Sequence, residues 1–412
     1  MGMKFIIILG LLLGITNLVK AQESTDGLII ACEAGEFKEV AAVFEKNISG
    51  KSKKMAPQST FEVDYTGFTS ESRAAFQSAV DVWASYLVSR VPIRVIAKYE
   101  SINSTTLATS GSKKVFKNFS PNILNDTWYP SALADAIAGK DLDTKEGDIV
   151  ITVNKNISWS FKTDGSKDNF KFDLKTVILH ELAHGLGFTT TFKIAGTNTL
   201  QVQWGLESLP LIYDTYIQND KGLILTDNTK IGNPSTDLKA NTTNNTTFFN
   251  IGKGTYIQNP PKLHAPKDFA SGSSLSHLNE SVYPKGTLNA LMSPFVGSGE
   301  VNHQIGPVIL AILNKIGWPI VNFDGLKILA TEPESKTLIV FPNPSNYEIT
   351  LRARGLDILK NAEYALFDVT GRQVSSGNIK NAGVPTIDIS RLQTGIYTLK
   401  VGSFEPQRIV KY

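Results

Sequence analysis

His180-Glu181-Leu182-Ala183-His184, continued by Gly185-Leu186-Gly187-Phe188, is the stretch from which the fold of this chain is read. On an α-helix, residues i and i+4 stand one above the other, so both imidazoles reach a single metal ion from the same face. Glu181 lies beside them, placed to take a proton from a metal-bound water, and this is the arrangement of a zinc hydrolase. The flanking residues agree with a helix. Asp173 is the expected N-cap, Leu174, Val177, Ile178, Leu182 and Ala183 form an apolar face, and Gly185 and Gly187 give the helix a place to stop.

A catalytic zinc keeps three protein ligands and leaves its fourth position to water. In the extended pattern H-E-x-x-H-x-x-G-x-x-H, the third His comes three residues after the glycine. Position 190 here is Thr190, a poor zinc ligand, so the third must come from His264, His277 or His303. His277 is the expected one. It lies in Gly272-Ser273-Ser274-Leu275-Ser276-His277, and Ala290-Leu291-Met292-Ser293-Pro294 follows shortly after. A His followed closely by a Met in a tight turn is what a metzincin site with a displaced third ligand shows, the Met forming an apolar floor under the ligands. His264 sits in a proline-bounded loop, Pro260 to Pro266. His303 precedes a helical run and reads as a helix-start or surface residue.

From roughly Phe61 to Trp318, these motifs resemble the leishmanolysin-type metallopeptidases and their bacterial relatives. In that family the third zinc His follows a long insertion and precedes the Met-turn. The resemblance implies His180, His184 and His277 as ligands of one catalytic Zn²⁺, Glu181 as catalytic base and Met292 as the turn residue. Two departures stand out. The chain has one cysteine, so the insertion must be held by packing alone, and no Tyr follows Met292 to serve as a side-chain oxyanion donor.

Met1 to Ala21 reads as a secretory signal peptide: Lys4, an apolar run from Phe5 to Ile15, then Val19-Lys20-Ala21. That run is too short for a membrane span of about 20 residues, and no later segment is apolar enough. The formal charge of +3 and the scattered lysines give no footprint for nucleic acid. A lone Cys32 excludes an internal disulfide framework. Cys32 is expected upstream of the folded region. Of its two readings, a thiolate capping the zinc in a latent proenzyme and an incidental residue of a leader, the second is preferred, because Ala31-Cys32-Glu33-Ala34-Gly35 matches no inhibitory motif.

The C-terminal end differs in kind. Leu338–Phe341, Glu348–Leu351, Tyr364–Val369, Thr386–Ile389 and Tyr397–Val401 read as short alternating strands. Phe341-Pro342-Asn343-Pro344, Asp368-Val369-Thr370-Gly371-Arg372 and Leu392-Gln393-Thr394-Gly395-Ile396-Tyr397 resemble, over about Glu334 to Tyr412, the sorting domain of type IX secretion cargo. That resemblance implies a Gram-negative source, passage through the periplasm to the cell surface or medium, and the secretion machinery as a partner.

In the middle, Ser70 to Leu87 reads as a helix capped by Ser70 or Ser72, and Val91 to Ala97 and Asp148 to Val153 as strands. The latter is either the edge strand that pairs with an extended peptide or an internal strand. Gly306 to Trp318 reads as the closing helix. The expectation is therefore an α+β, metzincin-like zinc peptidase domain and a small all-β sandwich. Its boundaries are signal peptide 1–21, leader 22–60, peptidase 61–322, linker 323–333 and sorting domain 334–412. The expected function is a secreted zinc endopeptidase acting on protein or peptide. The alternative is a non-catalytic, zinc-stabilised surface binding protein or adhesin. Structural Ca²⁺ is left open.

Overall fold

The computed structural model describes residues 22–35, 58–102, 105–252, 257, 259–321, 338–341, 343–352, 362–379, 386–402, 404 and 406–412. The expected signal peptide and the expected linker lie outside the described residues. The chain divides into two units, Met1–Leu326 and Lys327–Tyr412.

The first unit runs β1 (Glu23–Asp26), β2 (Ile29–Gly35), β3 (Phe61–Thr66), α1 (Ser70–Tyr86), β4 (Ile93–Glu100), β5 (Thr106–Ser112), β6 (Lys114–Lys117), β7 (Tyr129–Pro130) and α2 (Ser131–Ala138). It continues with β8 (Ile149–Asn154), β9 (Trp159–Ser160), β10 (Phe172–Asp173), α3 (Leu174–Gly185), β11 (Lys193–Ala195), β12 (Asn198–Gln203), β13 (Ile217–Asn219), α4 (Thr236–Asn241), β14 (Thr247–Phe249), β15 (Phe295–Gly297) and α5 (Pro307–Ile316). It is mixed α+β. A six-stranded sheet in the order β15-β2-β5-β8-β4-β3 carries the architecture. β3, β4 and β8 are parallel, and β5 runs antiparallel to β8. Parallel neighbours require a crossover, which α1 supplies between β3 and β4.

Period-two burial explains the sheet. Ile93, Val95 and Ala97 of β4 and Ile149, Ile151 and Val153 of β8 are all buried. Against that face lie α1, through Ala75, Phe76, Ala79, Val80 and Trp83, and α3, every residue of which is buried. A helix buried all round belongs inside a core, not on a surface. The N-cap of α1 is Thr69 and not the expected Ser70 or Ser72. Ser72 completes the reciprocal capping pair, its Oγ accepting from the Thr69 amide at 2.9 Å.

One expectation is corrected here, and one open alternative is resolved. Residues 22–60 are not wholly a leader outside the fold. β1 pairs with β6, and β2 pairs antiparallel with β5 and parallel with β15, so Cys32 is 1% exposed inside the unit. The strand from Asp148 to Val153 is internal, flanked by β4 and β5. β5 is internal as well, paired with β8 on one side and β2 on the other.

The long insertion between His184 and His277 is held by packing. Phe192, Trp204, Tyr213, Leu238, Phe249 and Leu263 join the same apolar cluster as Leu179 and Leu182 of α3. α5 closes the unit with Pro307 at its first turn and Gly317 after its last.

The second unit, taken by itself, is all-β: β16 (Ile339–Phe341), β17 (Glu348–Arg352), β18 (Glu363–Phe367), β19 (Gln373–Asn378), β20 (Thr386–Asp388), β21 (Gly395–Val401) and β22 (Gln407–Lys411). Sheets β16-β17-β20 and β19-β18-β21-β22 enclose Ile349, Leu351, Leu366, Ile387, Leu399, Val401 and Ile409. Asn343 latches the start of this unit to its end, accepting from the Val410 amide at 2.8 Å and donating to the Arg408 carbonyl at 2.7 Å. In the β18–β19 turn, Asp368 accepts from Thr370 Oγ1 (2.6 Å), from the Thr370 amide (2.9 Å) and from the Arg372 amide (3.1 Å). The expected turn motif is therefore a side-chain-stapled hairpin.

Candidate metal centre

α3 is fixed at both ends before its histidines are considered. Asp173 Oδ1 caps it, accepting from the Thr176 amide at 2.8 Å, and also contacts His303 Nε2 at 2.8 Å. His303 is therefore an anchor for the helix start, away from the other histidines. Two indoles hold the body of the helix and its exit. Trp83 Nε1 donates to the Leu179 carbonyl at 3.0 Å and Trp318 Nε1 to the Leu186 carbonyl at 2.8 Å. Gly185 is needed for close packing, since a Cβ there would lie 2.4 Å from Ile149 Cγ2 of β8. Gly187, at φ +113°, makes the turn out of the helix. That turn lets the Phe188 carbonyl come back to His184 Nδ1 at 2.8 Å.

Three histidines meet here. His180 and His184 Nε2 are 3.1 Å apart, His180 and His277 Nε2 are 3.3 Å apart, and all three residues are at most 1% exposed. Each Nδ1 has a carbonyl partner at 2.8 Å: Leu291 for His180, Phe188 for His184, Ser273 for His277. A carbonyl only accepts, so each ring carries its proton on Nδ1 and points a bare Nε2 lone pair at the common centre. Three convergent acceptors repel one another unless a cation sits between them. Protonation is no remedy. Burial lowers the pKa of His180 to about 4; burial and then His180 lower that of His184 to about 3; burial and then His184 take His277 well below its usual value. The triad is a set of neutral ligands able to hold a metal ion.

His277 reaches the centre from a constrained loop. Leu275 adopts φ +67°, unusual for a non-glycine, and its carbonyl accepts from Tyr213 Oη at 2.9 Å. The His264 amide donates to the His277 carbonyl at 2.8 Å, so His264 braces the ligand through the backbone. Met292 is fully buried in a turn closed by the Ser293 amide on the Ala290 carbonyl (3.0 Å). The Leu291 carbonyl holds His180, and the Met292 carbonyl accepts from the Leu278 amide at 2.8 Å. The turn thus ties together the first ligand and the residue after the third.

Glu181 is fully buried, and among the described residues no N–H or O–H group donates to its carboxylate oxygens, beside which the Cys32 thiol lies. Burial pushes its pKa well above the usual carboxylate range, opposed by the Cys32 thiol beside it. Cys32 Sγ, a Glu181 oxygen and a His180 ring nitrogen lie within 4.8 Å of one another. From β5, Ser110 Oγ donates to the Glu181 carbonyl at 2.7 Å, tying the helix to the sheet.

Thr190 has a different task from the ligand it replaces. Its Oγ1 donates to Asp214 Oδ1 at 2.6 Å, and the Thr191 and Leu211 amides add bonds of 3.1 and 3.0 Å to the same carboxylate. This buried cradle launches the insertion. Burial nevertheless raises Asp214 to about 6. A raised folded-state pKa gives stability that is complete below the unfolded value of about 3.9 and is lost as pH rises through about 6, some 3 kcal/mol in all. Against Asp214→Asn, the native chain should therefore show an advantage that is largest near pH 4 and shrinks by about 3 kcal/mol by pH 7. Denaturant unfolding of both at the two pH values measures this, and a constant gap would sink it.

Sequence reasoning missed Ser110 and the Asp214 cradle, and of its two readings of Cys32 it preferred the incidental residue outside the fold, whereas Cys32 is buried beside Glu181. Only the position of Thr190, directly where a ligand was expected, gave any signal for the last.

The fold is mixed α+β, with three histidines placed so that they could hold a metal ion, and comparison with known families places the chain further. Residues 19–253, more than half the chain, match the SPBPB7E8-like family, and the chain belongs to it. That match includes α3 and ends before His277 and Met292. Residues 339–411 match the secretion system C-terminal sorting domain, which marks the chain for export by the type IX machinery. No curated protein matches the chain. Among the described residues, no helix is long and apolar enough to cross a membrane.

Proposed function

We propose that this protein is a zinc-dependent endopeptidase of leishmanolysin-like, metzincin type, delivered to the surface or medium of a Gram-negative bacterium. The observation that carries this reading is the convergence of three neutral Nε2 atoms beside a buried Glu181. Tetrahedral ligands about 2.0–2.1 Å from zinc stand about 3.3 Å apart, and the separations of 3.1 and 3.3 Å fit that ion. His180, His184 and His277 would hold the zinc, which when bound would supply Lewis-acid activation of a water and of a scissile carbonyl. Glu181 would accept the proton of the attacking water and deliver it to the leaving amine. The Nδ1 bonds to Leu291, Phe188 and Ser273 keep the rings from turning away. A purely structural zinc site in an adhesin needs no such carboxylate, which favours the enzyme. Metal analysis together with a peptide-library digest of the purified protein tests the reading; a zinc-loaded protein that cleaves nothing would leave the adhesin.

Removal of residues 334–412 should leave a folded peptidase that accumulates in the periplasm, since this unit has its own core and the triad lies entirely in the other. Cell fractionation with an activity assay reads the result, and normal surface delivery of the truncated chain would end the sorting role.

A further inference from the structure

One helix places His180 and His184, but nothing in α3 dictates where His277 must stand. The insertion between them contains two consecutive residues that reach both sides of the site, Tyr213 and Asp214, each fully buried. The Asp214 carboxylate is tied to Thr190 and Thr191, just past the Phe188 whose carbonyl orients His184. The Tyr213 ring stands 5.3 Å from that of Phe188 and 4.8 Å from that of Phe249. Its hydroxyl crosses to the other arm, donating at 2.9 Å to the carbonyl of Leu275, two residues before His277.

Leu275 needs that hold. Its φ of +67° puts a buried leucine in the left-handed region, a conformation that persists only where the surroundings over-determine it. Two bonds clamp it: the Tyr213 hydroxyl on its carbonyl, and its own amide on the His264 carbonyl at 2.8 Å. The His277 ring is then fixed by Nδ1 on the Ser273 carbonyl at 2.8 Å. Until an ion arrives, three convergent Nε2 lone pairs push the ligands apart. His277 rides on a loop and not on a helix, so it is the ligand that this repulsion displaces most easily.

We propose that Tyr213 is a positioning residue for the metal: its hydroxyl, footed on the Asp214 cradle, holds the Leu275 peptide so that His277 stands ready before the ion binds. This rests on the metal-centre reading of the triad and adds to it a residue that is on neither ligand-bearing segment. Such preorganisation raises affinity by removing the ordering of the ligand from the binding step.

The test uses the full chain and two substitutions. Tyr213→Phe keeps the ring and deletes the hydroxyl. Tyr216→Phe is its control, because Tyr216 packs on the same Phe249 ring at 5.7 Å while the bond to Leu275 belongs to Tyr213. Zinc affinity is measured by competition with a chromogenic chelator. Cobalt(II) serves as a coordination probe through its visible spectrum, and thermal unfolding is followed with the metal removed. Tyr213→Phe should bind zinc at least about tenfold more weakly, the low end of what removal of a partner around metal ligands costs. Its cobalt spectrum should lose the intense bands of a four-coordinate site. Tyr216→Phe should match the native chain in both. A merely structural hydroxyl would lower the unfolding temperature of metal-free Tyr213→Phe and leave zinc affinity and cobalt spectrum native, which overturns the proposal. Equal loss of affinity in both variants also overturns it, as does failure of Tyr213→Phe to fold while Tyr216→Phe folds. A native chain that takes up neither ion removes the metal-centre reading, and the proposal with it.

Discussion

Glu181→Gln is expected to keep its zinc and lose about 10²–10⁴-fold in peptide cleavage, the usual contribution of general acid–base catalysis. The metal should stay because the three ligand nitrogens and their carbonyl partners do not involve this side chain. The amide is nearly the same size, so the packing of a fully buried position is kept. What it lacks is a site for the proton. Zinc stoichiometry, circular dichroism and cleavage rate measured on one preparation separate these effects, and near-native turnover with zinc present would remove Glu181 as base.

The second large effect concerns His277. His277→Ala should lower zinc affinity sharply and abolish cleavage, because two imidazoles from one helix leave zinc short of its normal protein ligand set. His264→Ala should keep both, since His264 supports His277 through backbone atoms that alanine also has. His303→Ala should keep the metal and cost some stability, as it strips a partner from the Asp173 cap. Met292→Leu should be mild, costing under about 1.5 kcal/mol, because it preserves apolar volume in a closed turn. Zinc content and cleavage across the four variants decide the matter. A metal-free His264→Ala protein beside a metal-loaded His277→Ala protein would reverse the assignment.

Much of the site could be read from the chain, for identifiable reasons. His180, Glu181 and His184 were legible because a helix converts i and i+4 into neighbours, and Asp173 because a cap is a local matter. His277 required a second clue, the Met292 turn, since no spacing rule reaches across the insertion. Cys32 was misplaced outside the fold. Nothing local shows that Ile29–Gly35 will pair with Thr106–Ser112, because strand pairing is non-local and depends on which edge stands open. The role of Asp148–Val153 stayed undecided for the same reason. In the sorting unit, β19 and β22 were missed. Gln373–Asn378 is largely polar and exposed on an outer strand, and Gln407–Lys411 is short, with few apolar residues to show the period.

The triad has a topological consequence. One imidazole comes from a loop and two from a helix far behind it in the chain, so any ion gripped by all three closes the covalent path from His184 to His277 into a ring. Closing a long ring removes disorder from the unfolded chain much as a covalent bridge does. In a protein with a single cysteine, this is a staple that no reductant opens. Its strength follows the free concentration of the ion by mass action. The firmness of the whole insertion, and not only the chemistry at its root, then becomes a readout of how much metal the surroundings supply.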